Sequence, residues 1–540
     1  MTFFVTSIWG LLILAPLASC GIVAPIIELV NGNISGSYSD IYNITYYRKI
    51  PFAAPPVGRN RFRAPQPLSP TSNGTYDTDQ SFENCVQSSG GSEDCLYLGV
   101  YSRPWKPRAR RPVVVEIHGG AYSAGTASFN IPPFGYPTLN ASTTNDFVFV
   151  YPAYRLNVFG FLAGTDIKKA EDADLNVGLL DQQAALRWVH ENIAQFGGDP
   201  RNVSLWGQSA GGGSVIAQAI ANKGETRPKL FHRALVNSPY WVKQYRYNDP
   251  EAESVYTQML NLTNCADRSN GIGCLRAVDQ RALYNASLSV KPYKPWHTAY
   301  SLWSPVVDGE FLHERLSAAV DGKLNVELVW ATTNTHEGER FVSSDLQLAN
   351  STSALNASAA GFDYWLRGYL AHFTTNDLTE VKSLYPPAGA TETFVYNSTY
   401  SRAGLIYRDT VLTCPGYWLA SSARQGWQTE YTVPPAVHGS EQVYVCGEPG
   451  YNSSCKWNWW NTGDETELTR YFGLAGAFSS FLQTGDPNAH KLTNEVEAAV
   501  PALDDKLWWT VNPGGFNITQ MSLQEKRCEF WKRKGMSIPA

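Results

Sequence analysis

One serine in the chain stands between two glycines, in a pattern that could hold a nucleophile. Residues 203–214 read VSLWGQSAGGGS, so Gly207, Ser209 and Gly211 form a G-x-S-x-G motif. A serine hydroxyl becomes an effective nucleophile only when a base takes its proton and N–H groups stabilise the resulting negative charge. The motif alone also fits a structural serine in a glycine-rich turn, so the rest of the chain must supply these partners.

The residues around the motif predict a sharp turn between a strand and a helix. The stretch NVSLW at 202–206 is typical of a strand, and AGGGSVIAQAIAN at 210–222 is typical of a helix. Such a turn exposes the serine hydroxyl, and the flanking glycines let the strand and the helix approach closely. The free N–H groups at the helix start can stabilise a developing negative charge, and we expect Ala210 to donate one.

A second glycine-rich stretch could complete an oxyanion hole. EIHGGAYSAGT at 116–126 follows an apolar run, and its His118-Gly119-Gly120-Ala121 segment is similar to the HGGG-type loop of lipases and esterases. We expect the backbone N–H groups of Gly120 and Ala121 to face the substrate oxygen. A plain glycine turn is the alternative for this stretch.

Apolar, β-branched runs separated by helical patterns predict a large, mostly parallel sheet flanked by helices, an α/β fold. A helical pattern with apolar residues three or four apart runs from Leu179 to Ile193, and Gly197-Gly198 should end it. The runs are PVVVEIHGG at 112–120, FVFVYPAYR at 147–155, NVSLWGQS at 202–209, ALVNS at 234–238 and ELVWATT at 327–333.

The composition limits the domain organisation and the partners. A chain of 540 residues could form three or four domains, but it contains no repeat, low-complexity tract or linker. We therefore predict one domain, at 21–540, which follows a signal peptide at 1–20. The net charge of −5 argues against nucleic-acid binding.

The N-terminus and the glycosylation motifs indicate secretion. MTFFVTSIWGLLILAPLASC has a short apolar stretch followed by small residues, as in a secretory signal peptide. An anchoring helix and, from LASC, a lipoprotein cleavage box are the alternatives. No later stretch is long and apolar enough for a membrane span. About twelve N-x-S/T acceptors suit a glycoprotein; they include Asn33, Asn43, Asn73, Asn140, Asn261, Asn285, Asn350, Asn397, Asn452 and Asn517.

The cysteine count fits an oxidising compartment. Of nine cysteines, Cys20 lies at the predicted cleavage region, and the remaining eight allow 105 pairings. Proximity along the chain favours the pairs Cys85–Cys95, Cys265–Cys274 and Cys446–Cys455, which would leave Cys414 for Cys528. Unpaired buried thiols are the alternative.

Several longer segments together resemble the type-B carboxylesterases, the family of the cholinesterases and fungal lipases. FGGDPRNVSLWGQSAGG at 196–212 is similar to the serine-site signature, and EDCLYLGV at 93–100 to the second signature, with Gly99 where Asn is usual. The segments at 50–68 and 484–488 also resemble the family, and the similarity extends from about residue 25 to about residue 530. The resemblance implies the α/β-hydrolase fold.

The same resemblance implies the partners of the serine. THEGERF at 335–341 is similar to the family's acid segment and points to Glu337, whereas AVHGSEQVYV at 436–445 points to His438. The order Ser209, Glu337, His438 is that of α/β-hydrolases. The resemblance also implies a buried Arg61–Glu93 bridge. HEGER at 336–340 lacks the second histidine of a zinc motif, and we expect neither a metal nor a cofactor.

These observations predict a secreted serine carboxylesterase that acts on a small-molecule ester. If Cys85 pairs with Cys95, the loop VQSSGGSED between them is short and has no aromatic residue. This loop then supplies neither a lid over the site nor an aromatic face that could bind choline. Its short, polar character favours short to medium acyl chains. The alternatives are a lipase for long-chain lipids, and a non-catalytic binding or adhesion protein on the same scaffold. The sequence does not separate hydrolysis from acyl transfer, and it indicates no oligomeric state.

Overall fold

The computed structural model describes residues 24–69, 74–144, 146–293, 302–349, 353–444, 464–490, 492 and 499–537. The predicted signal peptide, the Cys446–Cys455 pair and most of the tryptophan-rich stretch at 455–465 lie outside the described residues.

Strands from nearly the whole length of the chain form one large sheet. Within the described ranges this sheet has eleven strands. They are, in spatial order, β16 (Gly515–Gln520), β15 (Leu507–Asn512), β14 (Gln425–Tyr431), β11 (Leu328–Asn334), β10 (Arg233–Asn237), β9 (Gly198–Gln208), β7 (Arg111–Ile117), β8 (Val148–Pro152), β6 (Tyr97–Ser102), β4 (Ile44–Pro51) and β3 (Ser37–Ser39). The strands from β15 to β8 pair in parallel, and the outer strands pair antiparallel.

Burial on both faces explains the apolar runs of the central strands. The five runs singled out in the sequence become β7 to β11, and Val113, Val114 and Val115 of β7 have no exposed surface. A strand covered on both sides by helices needs apolar residues at successive positions, unlike a strand with one face in water. The predicted large, mostly parallel sheet flanked by helices is therefore confirmed.

Two small sheets and the helices complete the described structure. The small sheets consist of β1 (Ile27–Leu29), β2 (Gly32–Ser35) and β5 (Thr75–Asp77), and of β12 (Gly389–Ala390) and β13 (Val395–Tyr396). The helices are α1 (Tyr136–Asn140), α2 (Asn157–Phe161), α3 (Thr165–Lys169), α4 (Val177–Asn192), α5 (Ala210–Ile220), α6 (Pro250–Leu262), α7 (Gly271–Ala277), α8 (Gln280–Ser289), α9 (Leu316–Ala319), α10 (Ala359–Tyr369), α11 (Thr375–Leu384), α12 (Thr399–Tyr407), α13 (Cys414–Ser422), α14 (Glu465–Thr484) and α15 (Ser522–Ser537).

The helix predicted from Leu179 onward is α4, which ends at Asn192. A 3₁₀ turn over Ile193–Phe196 follows, and Gly197 closes it with φ of +79°. Glycine adopts this left-handed conformation without steric cost, which explains the stop at this point.

Within the described residues, three disulfides hold distant and local segments together. The structure joins Cys85 to Cys95 and Cys265 to Cys274, the pairs expected from proximity, and it joins Cys414 to Cys528. The last pair links α13 to α15. Among the described helices, none has the length and apolar character needed to cross a membrane.

Candidate active site

The serine motif forms a tight turn between β9 and α5. Ser209 has φ of +57° and ψ of −126°, a strained conformation for a residue with a side chain. A side chain at Gly207 would collide with the backbone of Gly211, and one at Gly211 would collide with the carbonyl oxygen of Ile117. Both glycines of the motif are therefore required by close backbone contacts, as expected for a sharp strand-to-helix turn at the serine, which is itself 8% exposed.

The structure brings Ser209, His438 and Glu337 together in that order. His438 Nε2 lies 2.9 Å from Ser209 Oγ, within hydrogen-bond distance, and 3.3 Å from Gln208 Nε2. His438 Nδ1 lies 3.9 Å from Glu337 Oε2. Both atoms are buried, and neither has a hydrogen-bond partner within the described part of the chain. Each is thus the natural partner of the other, and catalytic hydrogen bonds are often longer before a substrate binds.

Loops at the carboxyl ends of three parallel strands of the sheet, β9, β11 and β14, supply these groups. Ser209 follows β9, and Glu337 opens a short 3₁₀ turn after β11. His438 lies beyond β14 on a loop that is held by a hydrogen bond from the N–H of His336 to the carbonyl of Ala436. Parallel strands end at one edge of the sheet, so residues far apart in sequence meet there.

The predicted oxyanion loop lies against the serine turn. The backbone of Gly119 passes so close to Gln208 and Ser209 that a side chain there would meet both. Gly120 and Ala121 have φ of +111° and +53°. Among the described hydrogen bonds, none uses the N–H groups of Gly120, Ala121 or Ala210 as donor. The prediction that these three groups bind an oxygen anion requires them to be free of such partners.

His118 anchors the start of this loop. Its ring stacks on Tyr154 with centroids 4.4 Å apart, and the Tyr154 hydroxyl donates to the His118 carbonyl over 2.8 Å. Burial lowers the pKa of His118 to about 4, so the ring is neutral at ordinary pH. It then donates from Nδ1 to the carbonyl of Gly119 at 2.9 Å, which shapes the backbone ahead of the expected donors.

The short disulfide loop supports the oxyanion loop from outside. Gln87, between Cys85 and Cys95, accepts a hydrogen bond from the N–H of Gly125 at 3.0 Å and donates to the carbonyl of Gly125 at 2.8 Å. A carboxamide carries both an acceptor oxygen and a donor N–H, so it can satisfy the N–H and the C=O of one residue together. The loop between these cysteines therefore braces the end of the oxyanion loop.

A second buried carboxylate stands behind Glu337, and the sequence analysis did not single it out. The Ser238 hydroxyl contacts Glu337 Oε1 and lies 2.6 Å from Glu441 Oε1. The Asn334 side-chain amide contacts both carboxylates, and its backbone N–H donates to Glu337 Oε1 over 2.6 Å. Burial, together with the negative charge of Glu337, raises the pKa of Glu441 to about 7. The glutamate three residues after His438 was the available signal in the sequence.

Aromatic residues form one wall beside the histidine, and the sequence analysis did not identify them. The Phe341 ring meets His438 edge to face at 5.1 Å and stacks on Tyr240 at 5.5 Å and on Tyr407 at 5.1 Å. These distances are those of favourable aromatic pairs. Tyr240 and Tyr407 are buried, so the three rings pack as an aromatic cluster beside the His438 imidazole.

Other predicted groups are structural. Arg61 and Glu93 form a buried bidentate pair, and Arg61 also donates to the carbonyl of Val278 over 2.6 Å. Within the described residues, no His, Cys, Asp and Glu side chains are grouped so that three of them could hold a metal ion.

Comparisons with known proteins bear on the family and the fold. The model of the carboxylesterase family matches residues 23–531. The chain is 28% identical to the carboxylesterase patB of Aspergillus clavatus, over 97% of this chain and 99% of that protein. It is 31% identical to lipase 5 of Diutina rugosa, over 67% and 70% of the two chains. The crystal structure of Aspergillus niger EstA has the same fold, with a TM-score of 0.80, 24% identity and coverage of 96% and 99%.

Proposed function

The chain belongs to the carboxylesterase family, whose members hydrolyse carboxylic esters, and we propose that it is a secreted serine esterase with Ser209, His438 and Glu337 as its catalytic triad. The observation that carries the proposal is the 2.9 Å approach of His438 Nε2 to Ser209 Oγ at a strained strand-to-helix turn. The N–H groups of Gly120, Ala121 and Ala210 donate in none of the described hydrogen bonds, and the backbone of Gly119, just before two of them, lies against that turn.

The proposed reaction has two stages that share the same groups. Ser209 Oγ attacks the ester carbonyl while His438 takes its proton, and the N–H groups of Gly120, Ala121 and Ala210 stabilise the oxyanion. The intermediate collapses, and the proton passes from His438 to the leaving alcohol. In the second stage His438 takes a proton from water, the hydroxide attacks the acyl group, and the acid leaves as Ser209 regains its proton.

Glu337 has an orienting role in this scheme. It accepts a hydrogen bond from His438 Nδ1 when the 3.9 Å gap between them closes. The contact holds the imidazole in the tautomer that presents Nε2 to Ser209, and it stabilises the imidazolium that forms. The scheme uses only side chains, backbone N–H groups and water, so it requires no cofactor.

We expect short to medium acyl chains to be preferred. The loop between Cys85 and Cys95 has nine residues and no aromatic side chain. Gln87 holds it against Gly125, which leaves no long apolar flap from this segment to cover the site. A secreted triacylglycerol lipase of Gibberella zeae is 34% identical over 53% of this chain, and this similarity favours a lipase as the second candidate.

Export and glycosylation are part of the proposal. The first twenty residues would be removed as a signal peptide, and residues 21–540 would form a single domain. All acceptor asparagines named above that lie in described ranges are exposed, namely Asn33, Asn43, Asn140, Asn261, Asn285, Asn397 and Asn517. Disulfides within the chain also suit an oxidising compartment.

The first test is a series of p-nitrophenyl esters from acetate to palmitate, with the secreted protein and the Ser209→Ala variant. We expect hydrolysis of the short and medium esters and a loss of about 10⁴-fold or more in kcat in the variant, since the nucleophile is gone. Activity on long chains alone would favour the lipase. Equal activity of the two proteins, with no labelling of Ser209 by a phosphonate, would contradict the proposed triad.

A further inference from the structure

Arg340, which has no acidic partner among the described residues, contacts the loop that carries His438. Arg340 is exposed, and its Nη1 lies 3.5 Å from the carbonyl oxygen of His438. Among the ion pairs of the described residues, none involves Arg340. The nearest acidic residues along the chain are engaged elsewhere: Glu337 is buried, and Glu339 Oε1 contacts His336 Nδ1 at 3.2 Å.

The turn that carries Arg340 is held rigidly. A side chain at Gly338 would collide with the carbonyl oxygen of Gly404 on α12, so the two backbones are in close contact. On the same helix, the Tyr400 hydroxyl donates to the carbonyl of Glu339 over 2.6 Å. The backbone on which the Arg340 side chain stands is therefore fixed on both sides, and the guanidinium extends from it to the His438 carbonyl.

Arg340 lies on the histidine side of the site, and this position determines which part of the substrate Arg340 can reach. In the proposed reaction His438 hands its proton to the leaving alcohol, so the alcohol part of the ester lies on the histidine side of the reacting carbon. Arg340 contacts the backbone carbonyl of His438, and the Phe341 ring lies edge to face against the His438 imidazole. An alcohol part that combines an apolar body with a terminal anion would place the body on Phe341 and the anion on Arg340.

We propose that Arg340 binds a carboxylate on the alcohol part of the substrate, so that the preferred substrates are acyl esters of hydroxy acids. The planar guanidinium can donate two parallel hydrogen bonds to a carboxylate, which gives direction as well as charge. This inference rests on the proposed esterase function and adds the class of leaving group to it.

The test compares 3- and 4-acetoxybenzoate with the corresponding acetoxybenzamides, which have the same shape without the charge. The quantity to compare is kcat/KM, because it reports the acylation step, in which the alcohol part is still bound. All four esters form the same acetyl-enzyme, so the deacylation rate is an internal control for the geometry of His438.

We expect Arg340→Gln to lower kcat/KM for at least one acetoxybenzoate by about tenfold, the loss of one charge-assisted pair, and to leave the amides within about twofold. Arg340→Lys should restore part of the loss. The matched control is Arg268→Gln, at another exposed arginine, which should change neither class. Raising the ionic strength to about 0.5 M should reduce the activity of the wild type on the acids only.

Equal losses on acids and amides would overturn the inference and would indicate that Arg340 acts only by holding the His438 loop. Wild-type activity that does not distinguish the acids from the amides would also overturn it. In both cases the hydrolysis of the amides would still support the proposed esterase. If no acetate is hydrolysed and a phosphonate does not label Ser209, the proposed function itself fails, and the inference fails with it.

Discussion

Ser238 has one hydrogen to donate, and the oxygens of two buried carboxylates, Glu337 and Glu441, lie within its reach. One of these two contacts therefore requires a proton from a carboxyl group. The raised pKa of Glu441 points to the donor: below about pH 7, Glu441 keeps its proton and donates to Ser238, which in turn donates to Glu337. The chain of hydrogen bonds leaves one negative charge behind His438, on the carboxylate that faces it.

The pH dependence of stability should reveal this proton. Burial and the charge of Glu337 raise the pKa of Glu441 to about 7 from an ordinary value of 4.5. The folded protein therefore holds a proton that the unfolded chain releases, and the associated stability is present below about pH 4.5 and lost as the pH rises through 7. Glu441→Gln keeps a neutral donor at every pH, so the variant does not lose this stability as the pH rises. The difference in Tm between the variant and the wild type should therefore increase from pH 5 to pH 8. The corresponding difference in unfolding free energy should grow by up to about 3 kcal/mol.

The control for this measurement is Glu314→Gln, at an exposed position. Its Tm relative to wild type should stay constant over the same pH range. A constant difference for Glu441→Gln as well would contradict the assignment of the proton to Glu441.

At the scale of elements, two short loops without regular structure govern the candidate oxyanion site. One runs from His118 to Gly125 after β7, and the other lies between Cys85 and Cys95. The two hydrogen bonds of Gln87 to Gly125 connect them. The Cys85–Cys95 disulfide thus holds the loop of Gln87, and Gln87 in turn supports the backbone that carries the N–H groups of Gly120 and Ala121.

Gln87→Ala should lower kcat more than it changes KM. The substitution leaves the N–H and the carbonyl of Gly125 unpaired, at a cost of about 1–3 kcal/mol, and it loosens the loop that carries Gly120 and Ala121. An oxyanion hole stabilises the transition state and not the bound ester, so a loss of about tenfold is expected in kcat. Steady-state kinetics on p-nitrophenyl butyrate measure both constants.

A suitable control is Gln80→Ala. It removes an exposed glutamine whose side-chain amide donates a hydrogen bond to the carbonyl of Asp77. It should leave the kinetics unchanged. An unaltered kcat in Gln87→Ala would show that the oxyanion loop holds its conformation without this brace.

At the scale of the whole molecule, the Cys414–Cys528 disulfide is the longest-range covalent link among the described residues. It spans 114 positions and ties the C-terminal helix α15 to α13, which packs on the sheet, whereas Cys265–Cys274 spans nine. Closing a longer loop removes more conformational entropy from the unfolded chain.

Removal of the long-range disulfide should therefore destabilise the protein more than removal of the local one. In the loop-entropy description the expected costs are about 5 kcal/mol for Cys414→Ala with Cys528→Ala, and about 3 kcal/mol for Cys265→Ala with Cys274→Ala. Thermal unfolding of the two double variants, scanned at the same rate, gives the comparison. Equal decreases in Tm would mean that local packing of the cystines outweighs the entropy of the unfolded chain.

Local signals explain why the sequence could predict much of the fold. The strands β7 to β11 are buried on both faces and therefore have apolar runs, whereas α4 is buried on one face and has apolar residues three or four apart. Each pattern is visible within the residues of the segment itself. The family resemblance located Glu337 and His438 along the chain. It carried no distance, and the 2.9 Å approach of His438 to Ser209 became measurable only in the structure.

The sequence by itself determined the α/β class, the serine turn, the glycine-rich loop and the family, because each depends on residues that are neighbours along the chain. The tertiary structure alone decided which side chains meet from separate segments: Gln87 with Gly125, Ser238 between Glu337 and Glu441, and Arg340 beside His438. The physical reason is the parallel sheet. It brings the ends of β7, β9, β10, β11 and β14 to one edge, and the contacts made there depend on distances that no local pattern encodes.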